Sequence, residues 1–206
     1  MSWVFNGIWP SAMTWEYVDW FGVPKISYYD HKRAYEPLHV GAVFESLFNE
    51  PGSVFRAKLF VHNETLCPVN DGKVCVRLYN HQLELLTTDE KKIGIAADEN
   101  KHAGFLVWPI PKDMAEQCLF LCVDLKDQGD QVRSRSIYHP RVGPRPVGDR
   151  MPYLKNGPWV SQVKQIKTEL TAQWEQTWAQ GEDGRTRGRV LLTNTGAKPA
   201  YMVSLT

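Results

Sequence analysis

Net charge and long apolar runs are both nearly absent from the sequence, and each absence limits the partners that the protein can have. Lys and Arg total 24 and Asp and Glu total 23, so the formal net charge is +1 at pH 7. Such a balance argues against nucleic acid or an anionic membrane as an electrostatic partner. No run of about 18 apolar residues occurs, so no transmembrane helix is expected.

The first residues also lack the pattern of a signal peptide. Trp9-Pro10 interrupts the apolar start, and the acidic residues Glu16 and Asp19 follow it. The triplet Asn63-Glu64-Thr65 matches the N-glycosylation sequon, but chance explains it better. If the chain is a fragment that lacks its natural N-terminus, this absence does not separate a cytoplasmic from an exported location.

Motifs of phosphate, metal and nucleophile chemistry are absent too. The sequence contains no Gly-rich phosphate loop and no Ser or Cys triad motif. Cys67 and Cys75 lack partners at zinc-ligand spacing. We therefore expect no cofactor and no metal site.

Cysteines are few, at positions 67, 75, 118 and 122. Cys118 and Cys122 fall in one predicted strand, where four residues span about 13 Å, too far for a disulfide. A bridge between Cys75 and Cys122 across a sandwich stays geometrically open. Free, buried thiols are the favoured prediction, because a chain of this size does not need a disulfide scaffold.

Tryptophan, in contrast, is concentrated at the start of the chain. Four of the eight tryptophans fall within the first twenty residues, namely Trp3, Trp9, Trp15 and Trp20. Chain termini are usually polar and poorly ordered. We therefore expect that this is not a natural N-terminus and that the start belongs to a larger folded unit.

The pattern of secondary structure changes once, near residue 37. SWVFN, bounded by Gly7 and Pro10, predicts a short buried strand. Residues 22–37 predict a helix, with Pro24 at its first position, basic residues near its end and Pro37 beyond it. One strand and one helix cannot cover each other, so residues 1–37 need neighbours.

From Leu38 onward the sequence predicts strands. Phe55, Ala57, Leu59 and Val61 alternate with polar residues, which indicates a strand with one buried face. Other short runs separated by turn formers are HVGAVFESLF, KVCVRLYN, QLELLTT, KIGIAAD, AGFLVWPI and CLFLCVDL, the last nearly all apolar and therefore predicted to be central. Six to eight such strands over about 100 residues predict an immunoglobulin-like β-sandwich over residues 38–140.

Beyond the sandwich, the composition changes to proline and arginine. Residues 141–157 predict a stiff linker rather than a basic strip for nucleic acid, because no aromatic residues interleave with the arginines. Residues 158–206 contain three more strand-like runs, too few for a closed sandwich. The predicted class is thus mainly β, with a partial second sandwich at the end.

Residues 3–38, WVFNGIWPSAMTWEYVDWFGVPKISYYDHKRAYEPL, carry a series of motif positions. These are Trp3, Asn6, Trp9-Pro10, Trp15, Val18-Asp19-Trp20-Phe21-Gly22, Pro24-Lys25, Tyr28-Tyr29, Lys32-Arg33-Ala34 and Glu36-Pro37-Leu38. The series resembles the end of the catalytic barrel in family 2 glycoside hydrolases, especially the β-mannosidase and exo-β-glucosaminidase branch. VRSRSIYHP and LLTNTGAKPAYMVSL resemble later parts of the same family, so the resemblance covers almost the whole chain.

The resemblance implies that residues 1–37 are the strand–loop–helix remnant of a (β/α)8 barrel whose active site lies at the strand ends. Trp3 would then stack on the substrate sugar, although a barrel-core position is the alternative. Asn6 would either bond a sugar hydroxyl or hold its loop. Trp9, Trp15 and Trp20 are expected to pack on the loop and helix, Asp19 to serve a turn, and His31 to be a surface or packing residue.

The same resemblance implies a retaining mechanism with two glutamates that lie upstream of Met1. No catalytic residue is therefore expected among the acidic residues of this segment, namely Glu16, Asp19, Asp30 and Glu36. The family usually has an acidic residue where this chain has Gly7, which removes one carboxylate. The chain is expected to be inactive alone, with the remaining barrel and a β-linked sugar (a β-mannoside, β-glucosaminide or β-galactoside) as partners in the parent protein.

Two other functions remain open from the sequence. A free-standing carbohydrate-binding module would use exposed aromatic residues such as Trp108, Trp174 or Trp178, although their positions in or near strands favour burial. A structural or interaction protein would bind no sugar. The apolar side of SWVFN and the edge of the last β-domain also suggest self-association of an isolated chain.

Overall fold

The computed structural model of the protein describes residues 5–7, 16–144, 168–181, 184 and 186–200, and side chains 26, 176–179 and 187 are not described. Within these ranges the chain is mainly β, as predicted. Its elements are α1 (Ile26–Ala34), β1 (Leu38–Val43), β2 (Phe48–Asn49), β3 (Val54–Asn63), β4 (Val69–Tyr79), β5 (Leu85–Ile95), β6 (Glu99–Pro109), β7 (Gln117–Cys118), β8 (Phe120–Lys126), β9 (Val132–Tyr138), β10 (Arg141–Val142), β11 (Leu170–Gln180) and β12 (Thr186–Asn194).

Two antiparallel sheets form a β-sandwich. One sheet has the strand order β1-β3-β6, and the other has the order β5-β4-β8-β9. A single apolar core fills the space between them, to which β1, β3, β4, β5, β6 and β8 all contribute. The largest fully buried side chains include Phe55, Leu59, Leu78, Leu121 and Leu125.

The alternation in the sequence explains which side chains reach this core. In β3 the residues Phe55, Ala57, Leu59 and Val61 are buried, while Arg56 and Lys58 between them are exposed. Successive strand residues point to opposite faces of a sheet, so this pattern fixes the inner face. The predicted central position of CLFLCVDL is also confirmed, since β8 lies between β4 and β9.

The strand prediction from the sequence was wrong between Gln82 and Asp98. QLELLTT and KIGIAAD were predicted as separate strands, but most of both belongs to the single strand β5, which pairs with β4 from Leu85 to Ile95. The charged residues between them interrupt the apolar pattern. They are accommodated because β5 is an edge strand of its sheet.

Hydroxyl groups join the two sheets along one side. Ser134 Oγ accepts a hydrogen bond from the Val40 amide at 3.1 Å, and Ser136 Oγ donates to the Val40 carbonyl at 2.7 Å. Tyr138 Oη accepts from the Ala42 amide at 3.0 Å. These side chains of β9 therefore satisfy backbone groups of β1 that no strand pairs.

A buried carboxylate lies at the centre of the second sheet's outer face. Asp124 is fully buried, and Arg135 donates to its two oxygens at 2.6 and 2.9 Å, while Arg77 also donates to it. Burial by itself would raise the pKa of Asp124, but the hydrogen bonds and charges of Arg135 and Arg77 outweigh it and lower the pKa. This cluster joins β4, β8 and β9.

Two smaller sheets complete the described residues. β10 pairs with β2 in parallel and with β7 in antiparallel orientation. Residues 141 and 142, predicted as the start of the linker, thus form a strand, and residues 145–157 lie outside the described part. β11 and β12 form a hairpin with two register shifts. No helix of the described residues is long and apolar enough to cross a membrane.

Candidate functional site

The candidate site is the N-terminal unit, defined as described residues 5–7 and 16–37. Trp3, Trp9 and Trp15 lie outside the described residues, so the predicted sugar platform at Trp3 stays a prediction. Asn6 is exposed, and its backbone pairs with Val18 in parallel. The side-chain amide of Asn6 has no hydrogen-bond partner among the residues that the structure describes.

Backbone hydrogen bonds hold the N-terminal unit together. The Gly7 amide donates to the Val18 carbonyl at 2.8 Å, and the Tyr17 and Val18 amides donate to the Phe5 carbonyl at 3.1 and 2.9 Å. The Lys25 amide donates to the Tyr17 carbonyl at 2.8 Å. Three short segments therefore run side by side, with residues 16–19 in the middle.

A tight turn connects the second and third of these segments. Asp19 Oδ1 accepts a hydrogen bond from the Val23 amide at 2.8 Å, which confirms the predicted turn role of Asp19. Gly22 has φ +81°, a conformation that favours glycine. Trp20 and Phe21 form the tip and are 57% and 74% exposed, although the sequence predicted that Trp20 packs on the loop and helix.

An ion pair links the buried Glu16, at the start of the middle segment, to the half-buried Lys25. Lys25 Nζ is 2.5 Å from Glu16 Oε1, and Glu16 is only 4% exposed. A Cβ placed on Gly7 would lie 3.2 Å from Glu16 Cγ and 3.4 Å from Glu16 Oε1. The Glu16 side chain thus fills the space beside Gly7, so a carboxylate is present there, paired with an ammonium group. No sequence signal indicated this contact.

Helix α1 packs on the middle segment through an aromatic pair. The rings of Tyr17 and His31 are 4.2 Å apart, and Tyr17 Oη lies 2.8 Å from His31 Nε2. Of the two predicted environments of His31, surface or packing, the structure shows packing against Tyr17. The helix begins at Ile26 rather than Pro24, because Pro24 is bridged to Val18 and Lys25 occupies the N-cap.

The C-terminal half of α1 lies against the sandwich. Burial lowers the pKa of His39 on β1, and a hydrogen bond with the Arg33 backbone partly offsets that shift. Burial also lowers the pKa of His139, which the nearby Asp30 of α1 partly offsets. Both histidines are therefore neutral near pH 7 where the helix meets the sheets.

Three of the four acidic residues of the N-terminal unit contact other groups of the same unit. Glu16 is paired with Lys25, and Asp19 accepts the Val23 amide. Asp30 lies 3.6 Å from Arg33 on the exposed side of α1. Glu36 lies instead at the rim of a cleft of about 740 Å³, together with Leu38, Cys67, Asn70, Asp127 and Arg133.

Several aromatic side chains of the N-terminal unit are exposed. Phe5, Tyr29 and Tyr35 are 62%, 48% and 71% exposed, in addition to Trp20 and Phe21. The exposed aromatic residues are thus spread over the unit, from Phe5 to Tyr35.

The tryptophans proposed for a binding module differ in environment. Trp108 is half-buried and packs against the core, as the sequence favoured, whereas Trp174 on β11 is 61% exposed. The Trp178 side chain lies outside the described part. At the sequon, Asn63 is 1% exposed, and its side chain bonds Cys67 O, Ala96 O and Thr65. A glycan has no access to that amide.

The four cysteines are free thiols, as favoured, but the predicted burial holds only for Cys118, because Cys67 is exposed and Cys75 and Cys122 are half-buried. Cys75 and Cys122 lie on neighbouring strands of one sheet, not across the sandwich as the open alternative required. Burial raises the pKa of Cys118 to about 11, so this thiol is protonated and unreactive at neutral pH.

No protein-family model matches the chain, and no curated protein matches it by sequence. In fold, the chain is similar to the exo-chitosanase of Amycolatopsis orientalis, solved as a variant with PNP-β-D-glucosamine, with TM-score 0.61 and 20% identity over 89% of this chain and 21% of that chain. A β-D-mannosidase of Dictyoglomus thermophilum gives TM-score 0.48 and 23% identity over 67% of this chain and 15% of that chain. A β-glucuronidase from glycoside hydrolase family 2 gives TM-score 0.40 and 10% identity over 50% and 12%.

The likeness to the exo-chitosanase establishes a shared mainly β fold. The chain spans about a fifth of the length of that enzyme chain. Function does not follow from fold alone, because one fold supports many chemistries.

Proposed function

We propose that this chain is the C-terminal accessory part of a family 2 glycoside hydrolase that acts on β-linked sugars. In this proposal residues 1–37 are the last β/α unit of the catalytic barrel and residues 38–140 the immunoglobulin-like sandwich. Residues 141–157 link it to part of a second sandwich, residues 158–206. The observation that carries the proposal is the likeness in fold to the exo-chitosanase over 89% of this chain.

The remainder of the catalytic barrel is the proposed partner of the N-terminal unit. Its exposed aromatic residues, among them Phe5, Tyr29 and Tyr35, support this assignment because large exposed apolar side chains often mark interaction sites. They belong to the same segment whose motifs resemble the end of a family 2 barrel. Burial of these rings would contribute most of the binding free energy.

The chain supplies substrate binding rather than bond cleavage in this proposal. Trp3 stacks on the apolar face of the sugar ring, and Asn6 bonds a sugar hydroxyl. A retaining glycosidase needs a nucleophile and an acid/base, two carboxyl groups about 5–5.5 Å apart. The family resemblance implies that those glutamates come from earlier barrel strands. The contacts of Glu16, Asp19 and Asp30 with other groups agree with this.

The proposal is tested by comparing the 206-residue chain with the complete protein encoded by its gene. Both are assayed with p-nitrophenyl β-glucosaminide, β-mannoside and β-galactoside. We expect turnover by the complete protein only. The Trp3→Ala variant of the complete protein should lose about a hundredfold in kcat/KM, since a stacking contact made in the sugar site is removed.

Trp20→Ala is the matched control for Trp3→Ala, because Trp20 lies on an exposed turn tip. This variant should keep kcat/KM within about twofold. An upstream reading frame without a barrel, or hydrolysis by the 206-residue chain alone, would contradict the proposal.

A second candidate, a free-standing carbohydrate-binding module, is supported by one observation. Trp174 is 61% exposed on β11, on the same face of the hairpin as Leu192. Isothermal titration of the isolated chain with mannosides and chito-oligosaccharides tests it. Binding that Trp174→Ala abolishes would favour the module, and no heat would exclude it.

A further inference from the structure

The outer face of the β1-β3-β6 sheet combines aliphatic and basic side chains. Cross-strand pairing places on it two cations of β3, Arg56 and Lys58, and around them Val43, Val54, Phe105 and Val107. We call this surface the basic face. The outer faces of such antiparallel sheets are usually polar, so exposed apolar side chains on one of them indicate an interaction site.

The exposed apolar part of the basic face is mainly aliphatic. Its three most exposed apolar side chains, at 60%, 56% and 49%, are Val43, Val54 and Val107. The Phe105 ring is less available, since the Arg56 guanidinium lies over it at 5.6 Å and the His102 ring meets it at 4.9 Å. The basic face therefore offers aliphatic contact area rather than a free aromatic ring on which a sugar or a nucleic-acid base could stack.

No neighbouring strand residue compensates the two cations of the basic face. Arg56 and Lys58 are exposed and lie about 7 Å apart along β3. Neither has an ion-pair partner in the part of the chain that the structure describes. Their cross-strand neighbours on this sheet, Val43, Phe105 and Val107, are uncharged. A partner that covers the valines must therefore bring carboxylates to both cations, because burial of an unpaired charge is costly.

A second copy of the chain does not meet this requirement. In a two-fold arrangement, Arg56 and Lys58 would lie against the same two cations of the other copy. An added strand does not meet it either, because a strand pairs along a sheet edge and leaves the face uncovered. At β1, backbone groups are already bonded to Ser134, Ser136 and Tyr138. A helix, in contrast, covers a sheet face in one of the stable layer arrangements.

We infer that the basic face docks an acidic amphipathic helix of a partner protein. The rows from Val54 to Phe60 extend about 20 Å along β3, which matches a helix of about 13 residues. The apolar stripe of that helix covers the valines, and carboxylates at the border of the stripe accept hydrogen bonds from Arg56 and Lys58. The long side chains of these two residues reach past the apolar surface. This inference does not depend on the glycosidase proposal, since all these residues belong to the sandwich.

Isothermal titration of the 206-residue chain tests the inference with synthetic peptides of equal length. A Glu/Leu amphipathic helix supplies apolar side chains with carboxylates, a Glu/Ser peptide supplies carboxylates alone, and a Lys/Leu helix supplies the apolar stripe with the opposite charge. A thymidine oligonucleotide supplies phosphates and bases. We expect binding of the Glu/Leu helix only, weakened at high ionic strength.

Two double variants separate the contribution of charge from that of the apolar surface. Arg56→Gln with Lys58→Gln should weaken binding of the Glu/Leu helix about tenfold. Val43→Thr with Val107→Thr should weaken it by about the same factor, because two exposed methyl groups are replaced by hydroxyl groups. Threonine keeps the branched shape and the strand propensity of valine. Far-UV circular dichroism verifies that each variant is folded.

The matched controls lie on the other sheet. Lys92→Gln removes an exposed cation of β5, and Val132→Thr changes an exposed valine of β9. Both should leave the affinity unchanged. Absence of binding of the Glu/Leu helix, or equal binding of the Lys/Leu helix, would overturn the inference. Tighter binding of the oligonucleotide, lost in Arg56→Gln with Lys58→Gln, would overturn it in favour of a nucleic-acid partner.

Discussion

The sandwich and the N-terminal unit differ in how much of their apolar surface is buried. In the sandwich, apolar side chains such as Leu121 and Val123 are fully buried in one core, and the buried Asp124 is surrounded by arginines. In the N-terminal unit, the backbone is hydrogen-bonded, but Phe5, Phe21 and Tyr35 remain largely exposed. Burial of apolar side chains therefore stabilises the sandwich, whereas backbone hydrogen bonds and one ion pair stabilise the N-terminal unit.

This difference indicates which region can stand alone. Hydrophobic burial is the dominant favourable term in folding, so the sandwich is expected to fold independently. Local hydrogen bonds contribute only about 1 kcal/mol each, so the N-terminal unit is expected to gain much of its stability from a partner. Mutations with matched chemistry in the two regions should therefore have very different effects.

The largest difference is expected for apolar truncation. Leu121→Ala in β8 should lower the free energy of unfolding by about 3 kcal/mol, because it leaves a cavity in the core. Phe21→Ala, at a position 74% exposed, should change it by less than about 0.5 kcal/mol. Urea unfolding of both variants measures this, and equal effects would refute the comparison.

A smaller difference is expected for acidic residues. Asp124→Ala removes a fully buried carboxylate and should cost about 2 kcal/mol, below the usual range for buried pairs because both arginines reach solvent. Asp30→Ala on α1, whose carboxylate is 66% exposed, should cost less than about 0.5 kcal/mol.

The contribution of Asp124 to the free energy of unfolding should also depend on pH. Its pKa in the folded state lies below the ordinary value of 3.8, so its contribution is present above pH 3.8 and is lost as the pH falls below that value. Acid titration of wild type and Asp124→Ala should show two stability curves that converge in acid. A constant separation would contradict this assignment.

Removal of one hydroxyl group should change the free energy of unfolding by more similar amounts in the two regions. Ser136→Ala leaves the Val40 carbonyl without its 2.7 Å partner and should cost about 1 kcal/mol. Tyr17→Phe removes the hydrogen bond with His31 and keeps the ring contact, so it should cost about 0.5 kcal/mol, since this hydrogen bond is only partly buried. Thermal unfolding measures both; a larger loss for Tyr17→Phe would reverse the expected order.

The smallest effect is expected where the two regions meet. Burial lowers the folded-state pKa of His39 and His139 below 6.5, so the unfolded chain binds more protons than the folded chain near pH 6. Stability should therefore decline gently as the pH falls through 6.5. His139→Gln should flatten this decline in a series of melting curves, and an unchanged slope would exclude His139 as a contributor.

The sequence predicted those parts of the fold that depend on local periodicity. The alternation around Phe55 and Leu59 predicted β3, and the apolar run around Leu121 predicted the central strand. It failed at β5, where a charged run hid one continuous strand, and at the start of α1, where Pro24 pairs with Val18 instead of opening the helix.

Of the candidate site, the sequence predicted the turn role of Asp19 and the packing of His31, because both follow from neighbouring residues. It did not predict that Glu16 fills the space beside Gly7 or that Lys25 neutralises it. Those contacts depend on how three short segments align, which no spacing in the sequence records.

The sequence by itself determined that the chain is mainly β and that its first residues form a different kind of unit, since side-chain alternation and aromatic clustering are local properties. Only the tertiary structure decided which groups meet. Ser134 and Val40 are 94 residues apart in sequence and share a hydrogen bond, and the cluster of Asp124, Arg77 and Arg135 joins residues from three strands. Such contacts are selected by sheet pairing and core packing, which act between distant segments.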